Sequence, residues 1–289
     1  MKIKTRYIFP AAALILIVGI LPMFLVRIKT KTDVNKTELP SIDDVPREYW
    51  AKLAEKKIFF GHKSVGYNII QGVKDIMAEH NFIKLNIVET HDPAQFDRPI
   101  FAHDQVGQNK DPLSKIKAFE NIMDTGLGNK VDIALLKFCY VDLMRDSNPQ
   151  KIYTDYQNTI EDLRGRYPET TFVHVTVPVR SAPKGLKRNL KESIKLLIGR
   201  PGVLDDNLKR QQYNTLLSDA CSKIDTLFDL ALAESISPAG SRCYAVKEKA
   251  GIYFMDSKYT YDGGHLNEKG RKRVAEQLLI ILAELANRP

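Results

Sequence analysis

Val131-Asp-Ile-Ala-Leu-Leu136 is a near-continuous apolar run. A strand with one wet face alternates apolar and polar residues; a run like this one suits a strand buried on both faces of a parallel sheet. Similar short runs lie on either side. Lys57-Ile-Phe-Phe-Gly61, Lys84-Leu-Asn-Ile-Val88, Thr171-Phe-Val-His-Val-Thr-Val177 and Thr226-Leu-Phe-Asp229 read as four further strands, the third of them ended by Pro178. Helical spacing fills the gaps. Ile69, Val73, Ile76 and Met77 follow the first strand, Tyr153 to Tyr167 is stopped by Pro168, and Asn207 to Ile224 precedes the last strand. Asn267 reads as the N-cap of a final helix with a buried stripe of Val274, Leu278, Ile281, Leu282 and Leu285. Alternating β and α units predict an α/β fold with a parallel five-stranded sheet covered on both sides. In such folds the site lies beyond the carboxyl ends of the strands.

Composition narrows the function classes. Apolar residues make up 44% and charged residues 27% of 289, which excludes a disordered or low-complexity chain. Three cysteines exclude a disulfide-dense scaffold or a cysteine-built zinc array. The net charge of +8 is concentrated at one end. Residues 1–32 carry six basic side chains and no acid, leaving 37 basic against 35 acidic residues in the rest. A nearly neutral body predicts no nucleic-acid partner.

The basic end brackets an apolar segment. Tyr7 to Val26 is 20 residues without a charge, which as a helix spans about 30 Å, the thickness of a bilayer's hydrocarbon core. No Ala-x-Ala-like cleavage site follows it. The expectation is therefore an N-terminal transmembrane helix anchoring residues 1–29 (helix 7–26), with a cleaved signal peptide or a buried core helix as the other readings, a polar tether over 30–47, and one domain over 48–289 on the extracytoplasmic side, periplasmic or at the cell surface.

Two segments at strand ends carry candidate chemistry. The first strand runs into Gly61-His62-Lys63-Ser64-Val65-Gly66. Ser64, between a strand and a helix, is either a nucleophile near backbone N–H groups that stabilise an oxyanion, or simply a helix cap. Asp262-Gly-Gly-His265-Leu-Asn267 precedes the last helix. There an aspartate orients an imidazole that deprotonates a serine, or both residues only cap the helix.

Together the two segments resemble the SGNH/GDSL hydrolase superfamily of esterases and lipases. The specific match is Tyr259-Thr-Tyr-Asp-Gly-Gly-His-Leu-Asn-Glu-Lys-Gly270, which is similar to that family's last block. The resemblance implies a flavodoxin-like three-layer sandwich with sheet order 2-1-3-4-5. It implies a triad of Ser64 as nucleophile, Asp262 as orienting acid and His265 as base. It also implies an oxyanion hole of Ser64, Gly107 and a third donor. The first block departs from Gly-Asp-Ser, reading Gly-His-Lys-Ser here. In the third block, Lys137-Phe-Cys-Tyr-Val-Asp142, the oxyanion asparagine position falls on Val141, with Asp142 matching the block's last residue. Asn109 is the first candidate for the substitute donor and Tyr140 the second. His62, Tyr140 and Asp142 are candidate substrate contacts. The implied activity is hydrolysis of short acyl esters without a cofactor, on an envelope glycan given the anchor. Acyl transfer to an envelope polysaccharide, or non-catalytic glycan binding, are the alternatives.

Other features are weaker. His103-Asp104 reads as loop, or as a second acid–base pair, and His174 as a packed strand residue. The six histidines show no metal-ligand spacing, so no metal is expected. Lys184 to Arg200 holds six basic residues beside an apolar stripe. It reads as a lid, a membrane-surface helix, a cradle for an anionic glycan or an ordinary amphipathic helix. Cys139 is expected as a free packed thiol, and Cys221 and Cys243 as a candidate pair.

Overall fold

Neighbouring residues of the first sheet strand face two different cores. In the computed structural model, which describes residues 30–32, 36–183, 192, 202–221, 225–247 and 250–288, Ile58 and Phe60 belong to one buried cluster and Phe59 to another. The strand Ile133–Leu136 divides in the same way, Ile133 and Leu135 to one side, Ala134 and Leu136 to the other. Both faces are covered, which is why these strands are apolar throughout.

In chain order the elements are β1 (Thr30–Thr32), α1 (Arg47–Ala54), β2 (Lys57–His62), α2 (Val65–Glu79), β3 (Ile87–Glu89), β4 (Ile100–Gln105), α3 (Pro112–Ile122), β5 (Ile133–Leu136), α4 (Pro149–Arg166), β6 (Thr171–Val175), α5 (Val203–Cys221), β7 (Leu227–Phe228), α6 (Leu230–Ser235), β8 (Cys243–Lys247), β9 (Ala250–Tyr253) and α7 (Glu268–Ala286). The main sheet runs β3-β4-β2-β5-β6-β7 with every pairing parallel. Helices α1, α2, α6 and α7 pack together over one face, and α3, α4 and α5 over the other. A small antiparallel sheet, β1-β8-β9, stands beside them.

The sheet has six strands, not the expected five. The additional one is β4, between β2 and β3. Its second half, His103-Asp104-Gln105, is polar and it starts directly after Pro99, so it lacks the apolar run of a central strand. Only its first half, Ile100-Phe101-Ala102, is plainly core. The strand expected over 84–88 is shorter and shifted, to Ile87–Glu89 at the sheet edge.

Helix boundaries follow their caps. The Asn148 side chain accepts from Lys151 N with Pro149 leading α4, which therefore starts before Tyr153. Asn267 accepts from Gly270 N at the start of α7, as its sequence position predicts.

Within the stretch expected as a tether, the described residues 30–32 and 36–47 make contacts with the rest of the fold. Thr30–Thr32 pairs with β8, and Ile42 and Val45 are buried in the core beside α7. Gln277 of α7 donates to the Pro40 carbonyl and Glu276 accepts from Ile42 N. Two apolar residues in a polar stretch carry no periodicity, so their docking has no local signal. The expected helix over 7–26 and nearly all of Lys184 to Arg200 lie outside the described residues. Among the described residues no helix is long and apolar enough to cross a membrane. Cys221 and Cys243 are not paired: Cys243 Sγ lies 3.7 Å from Asp256 Oδ2, and Cys221 is buried beside His174 and Asp225.

Candidate active site

Parallel register brings the strand ends together. Because Gly61 of β2 lies beside Asp104 of β4 and Leu136 of β5, the turns beginning at Lys63, Val106 and Lys137 leave the same edge of the sheet. Val106 N donates to the His62 carbonyl (3.0 Å) and Lys137 N to the Gly61 carbonyl (3.0 Å), tying the three turns to one another.

Ser64 stands at the N-cap position of α2 but does not cap it, since its hydroxyl bonds no helix N–H. Its backbone has φ +53° and ψ −107°, a conformation that costs about 1–3 kcal/mol for a residue with a Cβ. The hydroxyl instead lies 2.7 Å from His265 Nε2. His265 Nδ1 lies 2.6 Å from Asp262 Oδ2. An ionised carboxylate only accepts, so Nδ1 carries the proton and Nε2 is left to accept from Ser64. The helix-cap readings of Ser64, Asp262 and His265 therefore give way to one hydrogen-bonded chain.

The turn that carries the last two residues is tightly held. Asp262 Oδ1 accepts from the backbone N–H groups of Gly264 and His265, both at 2.8 Å. Partial burial pushes the Asp262 carboxyl up, but the His265 ring and these two N–H groups outweigh it and hold the carboxylate well below its usual range. Leu266 N donates to Asn68 Oδ1 of α2, which fastens the turn to the helix behind Ser64. Tyr140 packs edge-on to the His265 ring with centroids 5.9 Å apart. Gly264 admits that ring, because a Cβ there would lie 2.9 Å from the Tyr140 side chain.

The other side of the site is built on a buried ion pair. Lys115 and Asp142 have fully buried side chains, with Nζ 2.5 Å from Oδ2. Asp142 also accepts from Cys139 N (2.7 Å) and Lys110 N (2.8 Å). Lys115 Nζ donates to Asn109 Oδ1 (3.1 Å). Asp142 is thus a support joining the turns after β4 and β5, not a substrate contact as its sequence position suggested. Its network continues to the nucleophile's turn through Cys139 Sγ, 3.4 Å from the Lys63 carbonyl. Gly107 has φ +56°, and a Cβ on it would lie 2.5 Å from Lys115 N, so only glycine fits. Among the described residues neither the Ser64 N–H nor the Gly107 N–H has a partner in the chain.

His62, also expected at the substrate, is completely buried. Its Nε2 lies 3.1 Å from Nδ1 of His103. Burial, then the charges of Lys137 and His103, pushes its pKa down to about 2. His103 and Asp104 belong to β4, not to a loop, and do not pair with each other; Asp104 pairs with His91 (2.6 Å). Lys115 escaped sequence reasoning, although it left a signal. It stands four residues before Phe119 and seven before Ile122, on the apolar stripe of α3.

His174 is buried, as expected. Its ring lies 2.9 Å from Tyr156 Oη and 3.0 Å from Arg164 Nη2. Its side chain, Cys221 and Asp225 place donor atoms within 4.8 Å of one another, a grouping that spaced-motif reading does not detect because His174 lies 47 residues before Cys221, itself four residues from Asp225. Arg164 donates to both His174 and Asp225, so that cluster already holds a cation.

A family model for GDSL-like lipase/acylhydrolase matches residues 83–278. The chain belongs to this family. The match takes in Asp262 and His265 and begins after Ser64, so the serine is placed by geometry alone. No curated protein matches. Solved structures to which this GDSL-family chain is similar include a lipase/acylhydrolase from Enterococcus faecalis (13% identity, 81% of this chain and 96% of that one, TM-score 0.46). They also include a family 3 carbohydrate esterase from Clostridium thermocellum (16%, 80% and 99%, TM-score 0.41). A third is the periplasmic domain of a lipopolysaccharide acetyltransferase from Salmonella ser. Paratyphi A (12%, 78% and 83%, TM-score 0.42).

Proposed function

We propose that the chain is a serine ester hydrolase acting through an acyl-enzyme on Ser64. The observation that carries this reading is the hydrogen-bonded chain from Ser64 Oγ through the His265 ring to Asp262. In this mechanism Ser64 Oγ attacks the acyl carbonyl while its proton passes to His265 Nε2. His265 then gives that proton to the departing alcohol. A water, deprotonated by the same nitrogen, releases the acid. Asp262 keeps Nδ1 protonated and stabilises the imidazolium formed in each half.

The developing oxyanion takes its hydrogen bonds from Ser64 N–H, Gly107 N–H and Asn109 Nδ2. The first two have no partner among the described residues, and Lys115 holds the amide oxygen of the third, which leaves its NH₂ to donate. This replaces the donor absent at Val141. One such donor is worth about 10²–10³ in rate. The N-terminal apolar run supports membrane anchoring with the domain outside the cytoplasm, where acyl esters on envelope glycans are the substrate class within reach.

The test is hydrolysis of 4-nitrophenyl acetate by the full chain, with labelling by a serine-reactive phosphonate. Activity and labelling both lost in Ser64→Ala support the reading. An inert wild-type chain, neither turning over nor labelled, rejects it. Protease added to intact spheroplasts should digest the domain; protection until lysis rejects the extracytoplasmic placement.

A further inference from the structure

Arg180 follows β6 by five residues and reaches the turn that carries Asp262 and His265. Its backbone is clamped. The fully buried Asn207 accepts from Arg180 N through Oδ1 (3.0 Å) and donates to the Arg180 carbonyl through Nδ2 (2.9 Å). Its side chain is partly buried. Nε donates to the carbonyl of Gly263 (3.3 Å), within the Asp262–His265 turn, and Cζ lies 5.4 Å from the centre of the Tyr140 ring. Tyr140 is the ring that meets His265 edge-on.

A second guanidinium, that of Arg210, lies 5.8 Å from the same ring. The two cations differ in their company. Arg210 is fully buried, bonded to the Tyr140 carbonyl and to Asn207, with the Asp206 carboxylate 4.0 Å away. Arg180 has no carboxylate within ion-pair distance among the described residues, and neither of its Nη groups has a partner there. Nearby Asp262 is committed to His265 and two backbone N–H groups. Burial, with the neighbouring Arg180 cation adding to it against the opposing Asp206 charge, pushes the Arg210 pKa down to about 10. Around Tyr140 two guanidinium cations thus stand with the carboxylates of Asp206 and Asp262, and Arg180 is the cation whose outer edge has no partner among the described residues.

Partly desolvated charge is costly unless paired, and a guanidinium's free edge matches a carboxylate or phosphate in two-point geometry. We infer that Arg180 is an anion-binding residue of the substrate site, selecting esters that carry a carboxylate or phosphate near the scissile bond. Nε is spent on Gly263, which fixes the plane of the guanidinium. Nη1 and Nη2 meet the anion. This deepens the hydrolase reading and rests on it for the identity of the substrate as an ester, but the anion site can fail or stand separately.

Three esters separate the cases: neutral 4-nitrophenyl acetate, mono-4-nitrophenyl succinate with its charge on the acyl side, and 4-acetoxybenzoate with its charge on the alcohol side. In the wild-type chain at least one charged ester should be preferred. Arg180→Gln should lower kcat/KM for that ester, relative to the neutral one, by about tenfold to a hundredfold, mostly through KM. The arm that responds shows on which side of the bond the anion sits. If Arg180→Gln slows all three by one common factor, Arg180 only props the Gly263 turn and the inference falls. Should the wild-type chain hydrolyse no ester, the hydrolase reading fails, and thermal unfolding with inorganic phosphate still decides the anion site. Phosphate should stabilise wild type and Ser64→Ala but not Arg180→Gln. Equal stabilisation of all three, or of none, overturns it.

Discussion

Lys115 Nζ donates to Asn109 Oδ1 at 3.1 Å, and an ammonium has no lone pair to offer in return. That asymmetry settles which way round the Asn109 amide lies: its oxygen is tied to the buried lysine and its NH₂ has no partner among the described residues. The Lys115–Asp142 pair behind it is fully buried, so the anchor is part of the core.

Asn109→Ala should lower kcat for ester hydrolysis by about 10²–10³ with little change in KM, because a donor to the oxyanion acts in the transition state. Asn109→Asp, isosteric but without the NH₂, should be at least as damaging. Lys115→Met leaves Asp142 buried and unpaired and should cost about 3–5 kcal/mol in unfolding free energy. Steady-state kinetics beside denaturant unfolding separate the two effects. A kcat unchanged in Asn109→Ala removes this residue from the oxyanion hole.

Ser64→Ala and His265→Ala should each lower kcat by several orders of magnitude, and the double variant should be hardly worse than either. Asp262→Asn should keep the turn but favour the wrong imidazole tautomer, and cost less than loss of the serine. Losses that multiply in the double variant would show that Ser64 and His265 do not work as one unit, despite the 2.7 Å contact.

His62 makes folding sensitive to acid. Its folded pKa is pushed down to about 2 from an ordinary 6.5, mainly by burial. Above pH 6.5 it is neutral in both states and costs nothing. As pH falls below 6.5 the unfolded chain takes a proton that the folded one refuses, so stability is lost at about 1.4 kcal/mol per pH unit. Buried His103 and His174 are shifted in the same direction. Glu234, whose carboxyl burial pushes up to about 8, opposes them between pH 8 and 4.5, where the folded chain is the one that holds the extra proton. His62→Gln retains a side-chain nitrogen toward His103 but cannot ionise. Its unfolding free energy, measured from pH 7 to pH 4, should fall less steeply than that of wild type. Parallel curves would mean that His62 is charged in the folded protein.

All three thiols should be found free by non-reducing peptide mapping. Burial, with the Asp225 charge beside it, pushes the Cys221 thiol up to about 12. Cys221 should therefore react slowly with iodoacetamide at pH 8 in the folded chain, and at an ordinary rate in urea. A Cys221–Cys243 crosslink would overturn this arrangement.

Apolar runs and helical spacing were enough to recognise the β2, β5, β6, α2 and α7 regions, because those signals are carried by neighbours along the chain. They failed at β4, where a central strand ends in three polar residues, and at Ile42 and Val45, where two apolar side chains dock without any period. The Asp262–His265 pair was legible for the same local reason, since the two stand three residues apart on one turn. His62 was not: a histidine two residues before the candidate nucleophile reads as a substrate contact, and only the packing of Phe60, Tyr67 and His103 around it shows that it is buried.

By itself the sequence determined the α/β class, the strand-to-helix position of Ser64 and the acid–histidine turn before the last helix, since each depends on interactions a few residues long. Only the tertiary structure decided that Ser64 meets His265 across 201 residues, that Asp142 and His62 support the site from within, and that Arg180 stands beside it without a counter-ion among the described residues. The physical reason is that sheet register and the packing of α7 against α2 bring distant turns to one edge. A residue's type states what it can donate or accept, while burial and partners, which are set by the whole fold, state what it does.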